Sequence, residues 1–294
     1  MPSRALFLVN PRARSGAEGA GEIASRLRRL GLHVVEQPAD DPSRLPELVR
    51  RHLGEIDRVI VGGGDGTLSA SVQVLVESGL PLGIIPLGTA NNLARTLGIP
   101  FDPEGACALI AAGHRRRIDL GWVNGRYFCT TASIGLSVQI TEELSPEVKR
   151  RWGPIAYLLA AIKVMRRSQP FRAEIFWKGG TRRTRTVQIV VGNGRYYGAA
   201  LAVAPDATID DARLDLYSIE VNHWWHLLRL APSLKRGTHV HRGEVEALRA
   251  GAFEIRTRRP MPIDLDGELG AETPARLKVV PRALEVFVAA PPGP

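Results

Sequence analysis

The first part of the chain alternates short apolar runs with segments whose apolar residues recur at helical spacing. Residues 5–9 (Ala-Leu-Phe-Leu-Val) read as a buried strand entering a polar loop at residues 10–16. Residues 19–30 carry the helical period, and Gly31 suits the stop. A second strand is predicted over 33–37. Pro42 and Ser43 then open a helix with Leu45, Leu48, Val49 and Leu53 on its apolar face. A strand over 58–61, a helix over 68–77 and a strand over 82–85 follow, and residues 86–95 repeat the passage from strand through glycine turn to helix. The order βαβαβαβ predicts a parallel sheet with right-handed crossovers. Ligands of such sheets bind at the carboxyl ends of the strands. The loops holding Asn10, residues 62–67 and residues 88–92 all fall on that edge. Thr89, Asn91 and Asn92 supply neutral donors and acceptors there, a role compatible with capping the next helix.

Near Asp119 the pattern changes, and strands follow strands. Asn124-Gly125, flanked by Asp119-Leu120-Gly121-Trp122-Val123 and Arg126-Tyr127-Phe128-Cys129, is a strong hairpin signal. Residues 171–177 and 184–191 flank a second glycine turn at Gly179-Gly180. Further strands are predicted over 214–219, 253–257, 263–265, 277–280 and 284–289. Helical spacing interrupts them at 154–167 and 222–236. The fold class is therefore an α/β first domain over residues 1–119, followed by a mostly antiparallel β domain over 120–290, with a Pro-Pro-Gly-Pro tail at 291–294 that reads as disordered.

The stretch Val59-Ile60-Val61-Gly62-Gly63-Gly64-Asp65-Gly66-Thr67-Leu68 organises the first domain. Its glycines let backbone N–H groups approach a ligand closely, and the helix that follows favours a bound phosphate. Asp65 is the odd member, because a carboxylate repels phosphate unless a cation lies between them or the acid takes part in the chemistry. The arrangement points to metal-assisted phosphoryl transfer. It is not a Walker A loop, since no Gly-Lys-Ser/Thr follows, nor a dinucleotide fingerprint, since Thr67 takes the place of the third glycine.

Composition narrows the setting. With 294 residues and a 44% apolar fraction, the chain is long enough for two cores. No run approaches a membrane span, and no signal peptide is evident. Two cysteines, Cys107 and Cys129, give no disulfide framework and fit a reducing, cytoplasmic compartment. The pairs His223/His226 and His239/His241 have no cysteine or third histidine nearby and read as solvated or core residues. The net charge is +9; residues 149–185 hold eleven basic side chains against Glu174 alone, or +10, which is the whole excess. That stretch suits an anionic membrane surface or a solvated face, and without a nucleic-acid motif it does not point to nucleic acid.

Two acid-bearing motifs lie in the second domain. Residues 206–215, with Asp206, Asp210, Asp211 and Asp215, form a polar turn that reads equally as a cation loop or a solvated turn. In Asp264-Leu265-Asp266-Gly267-Glu268 a glycine turn can bring Asp266 and Glu268 towards one point, as a general base and its partner or simply as hairpin charges.

Taken together, several motifs in order resemble the diacylglycerol kinase catalytic-domain family, which includes sphingosine kinases, and most closely its bacterial YegS- and DgkB-like lipid kinases. They are Asn10-Pro11 with Ser15-Gly16, Gly63-Gly64-Asp65-Gly66-Thr67, Pro86-Leu87-Gly88-Thr89-Ala90-Asn91-Asn92 and Asp119-Leu120-Gly121. Gly192-Asn193-Gly194-Arg195, Ala204-Pro205-Asp206-Ala207 with Asp210-Asp211, and Leu265-Asp266-Gly267-Glu268 complete the set. The resemblance implies a β-sandwich second domain and a cleft holding ATP and Mg²⁺. It implies nucleotide contacts at Asn10, Gly62, Gly63, Gly64, Asp65, Gly66, Thr67, Leu68 and Thr89, with Asn92 in the same loop. It implies Glu268 as the base that deprotonates a lipid hydroxyl, with Asp266 beside it and Asp65 in the catalytic set. A structural metal, Mg²⁺ or Ca²⁺, is implied at Asp211 and the carbonyls of Thr208 and Arg213. The expected partners are a lipid substrate and, peripherally, the membrane surface; the state is monomer or homodimer.

Three departures bear on activity. The family usually has Asp where Asn92 stands. Ala212 replaces a common glycine, and the strand end near Gln37 lacks the usual threonine. A catalytically impaired nucleotide- or lipid-binding homologue is therefore the first alternative. NAD kinases share Gly-Gly-Asp-Gly-Thr but follow it with an Asn-Glu pair that this chain lacks.

Overall fold

The computed structural model describes residues 4–10, 16–143, 163–164, 167, 169–194, 196–197, 201–202, 208–220 and 245–290. It divides into two compact units, Met1–Leu120 with Val280–Pro294, and Gly121–Val279. The sequence reading carries the second domain on to residue 290; in the structure residues 280–290 fall in the first unit.

The first unit follows the predicted alternation. Strands β1 (Arg4–Val9), β2 (His33–Pro38), β3 (Arg58–Gly63) and β4 (Leu82–Pro86) pair in the order β2-β1-β3-β4, all parallel. From Ala5 to Val9 every residue of β1 is buried, as a strand covered on both faces requires. Helix α1 (Gly16–Arg29) links β1 to β2. Helix α2 (Leu45–Arg51), entered through a 3₁₀ turn at Pro42–Arg44, links β2 to β3, and α3 (Asp65–Ser78) links β3 to β4. Two shorter helices follow, α4 (Asn92–Thr96) and α5 (Pro103–Ala112). Helix α1 packs against α5, and α2 against α3. Right-handed crossovers put these two pairs on opposite faces, because the strand order reverses direction at β1. Helix α5 carries no motif and was not expected; Asp102 caps it by accepting the Gly105 N–H at 2.6 Å.

The second unit is a sandwich of two antiparallel layers, the mostly antiparallel β class expected. Strand β5 (Arg115–Val123) enters it and pairs with β6 (Arg126–Phe128). Their turn holds Asn124 at φ 46 and Gly125 at φ 98, both left-handed, as a two-residue hairpin demands. Strand β7 (Thr131–Gly135) leads into α6 (Leu136–Glu143). Strands β8 (Phe171–Trp177) and β9 (Gly180–Thr186) make the second hairpin, turning at Lys178-Gly179. The strand predicted over 184–191 is two strands. After Thr186 the chain changes sheet, and β10 (Gln188–Gly192) pairs with β7 and with β13 (Leu214–Ile219). Short strands β11 (Tyr196–Tyr197) and β12 (Leu201–Ala202) pair with each other.

Strands β14 (Val245–Ala250), β15 (Ala252–Thr257), β16 (Pro262–Leu265), β17 (Glu268–Glu272) and β18 (Ala275–Phe287) complete the chain. One layer runs β14-β13-β10-β7-β16-β17 and the other β9-β8-β15-β18. Ile134, Ile189 and Leu216 of the first layer meet Ile175, Phe253 and Leu277 of the second in one core. The strands predicted at 277–280 and 284–289 are a single element, β18, with Arg282 at φ 54 within it; its end pairs with β4 through Val286 and Leu82. The helices expected over 154–167 and 222–236 fall almost wholly outside the described residues; Lys163, Val164 and Arg167 of the first are helical.

Candidate active site

In the first unit the strand order reverses between β1 and β3, and the loops leaving these strands part there. Asn10, just beyond β1, donates its backbone N–H to Gly62 at 2.8 Å and its side-chain amide to the Thr67 hydroxyl at 3.3 Å. The expected neighbours Asn10 and Thr67 are thus brought together at the carboxyl edge of the sheet, where such folds bind ligands.

The glycine loops after β3 and β4 approach backbone to backbone. A Cβ on Gly88 would lie 2.5 Å from the Gly64 Cα and 2.7 Å from the Asn91 Oδ1, so position 88 leaves no room for a side chain. Asn91, at φ 49, brackets Gly88 by accepting its N–H at 3.0 Å and donating to its carbonyl at 2.9 Å. The sequence offered Asn91 only as a polar loop residue; it shapes the loop itself. Thr89 is exposed beside it, and Gly62, Gly63, Thr67 and Leu68 are buried.

Asp65 opens α3, half-buried, and its carboxylate turns towards the loop after β4. It accepts the Asn92 N–H at 3.0 Å, the Asn92 side-chain amide at 3.3 Å and the Leu93 N–H at 3.3 Å. The capping role expected of the asparagines is therefore taken by an acid 27 residues away. The Oδ1 of Asn92 is buried and has no hydrogen-bond partner among the described residues. Asp119 is a further buried acid of this unit, and its carboxylate accepts the Arg282 N–H at 2.8 Å, fastening the returning segment of the chain.

In the second unit, Leu265 and Glu268 flank the two-residue turn between β16 and β17, whose residues are Asp266 at φ 53 and Gly267 at φ 100. Asp266 points back into the unit and accepts four hydrogen bonds: the N–H groups of Cys129 (2.7 Å), Thr130 (2.8 Å) and Thr131 (3.0 Å), and the Thr130 hydroxyl (2.6 Å). Glu268 is exposed at the first position of β17. Asp264, buried, accepts the Gly267 N–H at 2.8 Å and fixes the turn from its other side. Asn193 clamps the same 129–131 segment, donating to the Thr130 carbonyl at 2.7 Å and the Cys129 carbonyl at 2.9 Å. Thr130 and Thr131 carried no sequence signal. Asn193 had one only as part of the Gly-Asn-Gly-Arg motif.

At the third motif, Asp211 accepts the Arg213 N–H at 3.0 Å and Ala212 sits at φ 56, the left-handed conformation that favours the glycine it replaces. Thr208 is exposed and Ile209 is buried beneath the turn. Among the described residues no three His, Cys, Asp or Glu side chains gather as a metal cluster, so an ion here would rely on backbone carbonyls and Asp211. No helix among them is long and apolar enough to cross a membrane.

Comparison with known proteins agrees with this architecture. The diacylglycerol kinase catalytic domain model matches residues 4–123, and the YegS C-terminal NAD kinase beta sandwich-like domain model matches residues 130–288. The chain is 31% identical to a diacylglycerol kinase of Mycobacterium tuberculosis over 95% of its length and 93% of the relative's. It is 30% identical to one of Staphylococcus aureus over 98% and 93%. A diacylglycerol kinase crystal structure from Bacillus anthracis superposes with a TM-score of 0.76 at 21% identity, covering 98% of this chain and 97% of that one. Another from the same organism reaches 0.84 at 24%, covering 98% and 96%. At these identities the superpositions speak for the fold alone, whereas the matched models and full-length relatives show that the chain belongs to the diacylglycerol kinase family of lipid kinases.

Proposed function

We propose that this protein transfers the γ-phosphoryl group of ATP to a hydroxyl of a lipid, with diacylglycerol as the first acceptor to test, at the surface of an anionic membrane. The observation that carries this reading is the close packing of Gly64 against Gly88 beside Asp65, at the carboxyl edge of the parallel sheet. Backbone at a glycine loop can approach a phosphate closely, and the N-terminus of α3 favours the same anion. The residues present fit the group. There is a cradle that any Cβ would fill, and a buried Asn92 Oδ1 awaits a donor. A single carboxylate among neutral amides suits Mg²⁺, which keeps most of its ligands as phosphate and water. When bound, Mg²⁺ neutralises charge on the transferred phosphoryl group.

In this reading Asn10, residues 62–68, Thr89 and Asn92 hold the nucleotide. Asp65 orders the loop after β4 and balances the ion. Glu268, exposed after the glycine turn, takes the acceptor proton. Asp266, engaged by four donors, is a positioning residue that fixes the turn. Thr208, Asp211 and Arg213 hold a structural ion. One observation favours a weaker enzyme as a second reading: Asn92 gives Asp65 a neutral amide where the family usually supplies a second carboxylate.

Glu268→Gln keeps shape and hydrogen bonding but accepts no proton. General-base contributions are typically about 10²- to 10⁴-fold, so kcat should fall by that factor while ATP affinity stays near wild type. Wild-type turnover in this variant would place the base elsewhere.

A further inference from the structure

We infer that the solvent face of the β9-β8-β15-β18 layer docks the protein on an anionic lipid bilayer. This names the surface for the membrane association proposed above and rests on that reading. The layer alternates cleanly. Ala173 and Ile175, Phe253 and Ile255, and Ala275 and Leu277 are buried, so their neighbours in each strand point to solvent.

Those outward neighbours are mostly cations. Glu174 of β8 lies between Arg256 of β15 and Arg183 of β9 in register. One position along, Arg172 stands directly opposite Arg185. Arg258, just beyond β15, lines the same groove of about 570 Å³. On β18, Arg276 and Lys278 continue the exposed basic row. Both acids of the face are already neutralised, Glu174 by Arg183 at 2.7 Å and Glu254 by Arg256 at 2.7 Å.

Arg172, Arg185 and Arg258 are exposed and form no ion pair among the described residues. Like charges directly opposite in a sheet are destabilising. A fold that keeps Arg172 against Arg185, with Arg258 alongside, presents positive charge that an external anion would relieve. Aromatic rings sit beside the cations, Phe176 under Arg256 at 4.9 Å and Trp122 under Lys278 at 4.7 Å. Tryptophan rings such as Trp122 settle at the headgroup level of bilayers. A second copy is a poor occupant, since an isologous contact would set this basic face against itself. Charge complementarity together with a lipid acceptor favours the bilayer.

Sedimentation with phosphatidylglycerol/phosphatidylcholine vesicles, and with phosphatidylcholine alone, tests the assignment. Wild type should sediment with the anionic vesicles only, and less as salt rises. The triple variant Arg172→Gln, Arg185→Gln, Arg258→Gln should bind them about 10²-fold more weakly while turning over lipid in neutral detergent micelles at the wild-type rate. Arginine modification by phenylglyoxal on the wild-type protein, read by peptide mass spectrometry, should show these three side chains protected by anionic vesicles. A triple variant that binds like wild type, or three arginines left unprotected on the vesicles, overturns this face and leaves the membrane reading standing. A wild type that ignores anionic vesicles overturns both. Tighter binding to duplex DNA than to vesicles, lost in the triple variant, would reassign the face to nucleic acid.

Discussion

Asn92 donates to the Oδ2 of Asp65 twice, from its backbone N–H at 3.0 Å and from its side-chain amide at 3.3 Å. The loops that follow β3 and β4 are thereby joined through one carboxylate. In this contact the Asp65 carboxylate meets a neutral amide and not a second acid.

Replacing that amide changes the metal dependence. Asn92→Asp sets two carboxylates where one now receives a donor, and like charges this close disfavour joint ionisation. In chelator the variant should lose about 1–3 kcal/mol of stability, and Mg²⁺ should restore part of it. Thermal melts with and without Mg²⁺ check this. A variant whose melting temperature is wild-type in chelator and indifferent to Mg²⁺ would show that the two side chains do not face each other.

Asp266 and Glu268, two residues apart, should separate in their effects. Asp266→Ala strands three buried-side N–H groups and a hydroxyl, and a stability loss of about 2–4 kcal/mol is expected in urea unfolding. Glu268→Gln, at an exposed site, should stay within about 0.5 kcal/mol of wild type. Equal stability of the two variants would remove the structural role assigned to Asp266.

Asp211→Ala should reduce the content of bound divalent ion, and chelator should lower the melting temperature of wild type but not of the variant, because an ion bound only to the folded state stabilises it by mass action. If chelator moves neither, the 208–213 turn is held by the Asp211 to Arg213 hydrogen bond alone.

Burial pushes the Cys107 thiol up to about 11 from 9.0. The folded state therefore holds this proton more tightly than the unfolded chain. The resulting stability is complete below about pH 9 and disappears as pH rises through about 11. Native protein should resist iodoacetamide at Cys107 at pH 8 and react in urea, as peptide mass spectrometry would report; rapid native alkylation would contradict the burial of α5 against the sheet.

The first unit was legible because its signals are local. Each parallel strand is a buried apolar run ending in a glycine or polar loop, and the loop edge follows from the strand order alone. The second unit was harder. Val187 lies inside an unbroken β-prone run, so nothing in the sequence shows the chain leaving β9's sheet for β10's. Arg282 at φ 54 is a conformation held by a distant partner, Asp119, 163 residues away. The site divides the same way. Asn10, Thr67 and the glycines could be placed together from topology, whereas the engagement of Asp266 by residues 129–131 depends on 135 residues or more of intervening chain. The basic surface was visible only in part, because Arg256, Arg258, Arg276 and Lys278 join Arg172, Arg183 and Arg185 through strand pairing and not through sequence proximity.

The central claim is phosphoryl transfer to a lipid, and the direct measurement is incubation with γ-labelled ATP, Mg²⁺ and a panel of lipid hydroxyl acceptors that includes diacylglycerol, with NAD as a competing acceptor. The account predicts label in an organic-phase lipid monophosphate identified by mass spectrometry, falling by at least about 10²-fold in Asp65→Asn. Label in NADP with none in any lipid, or undiminished transfer by Asp65→Asn, would contradict it.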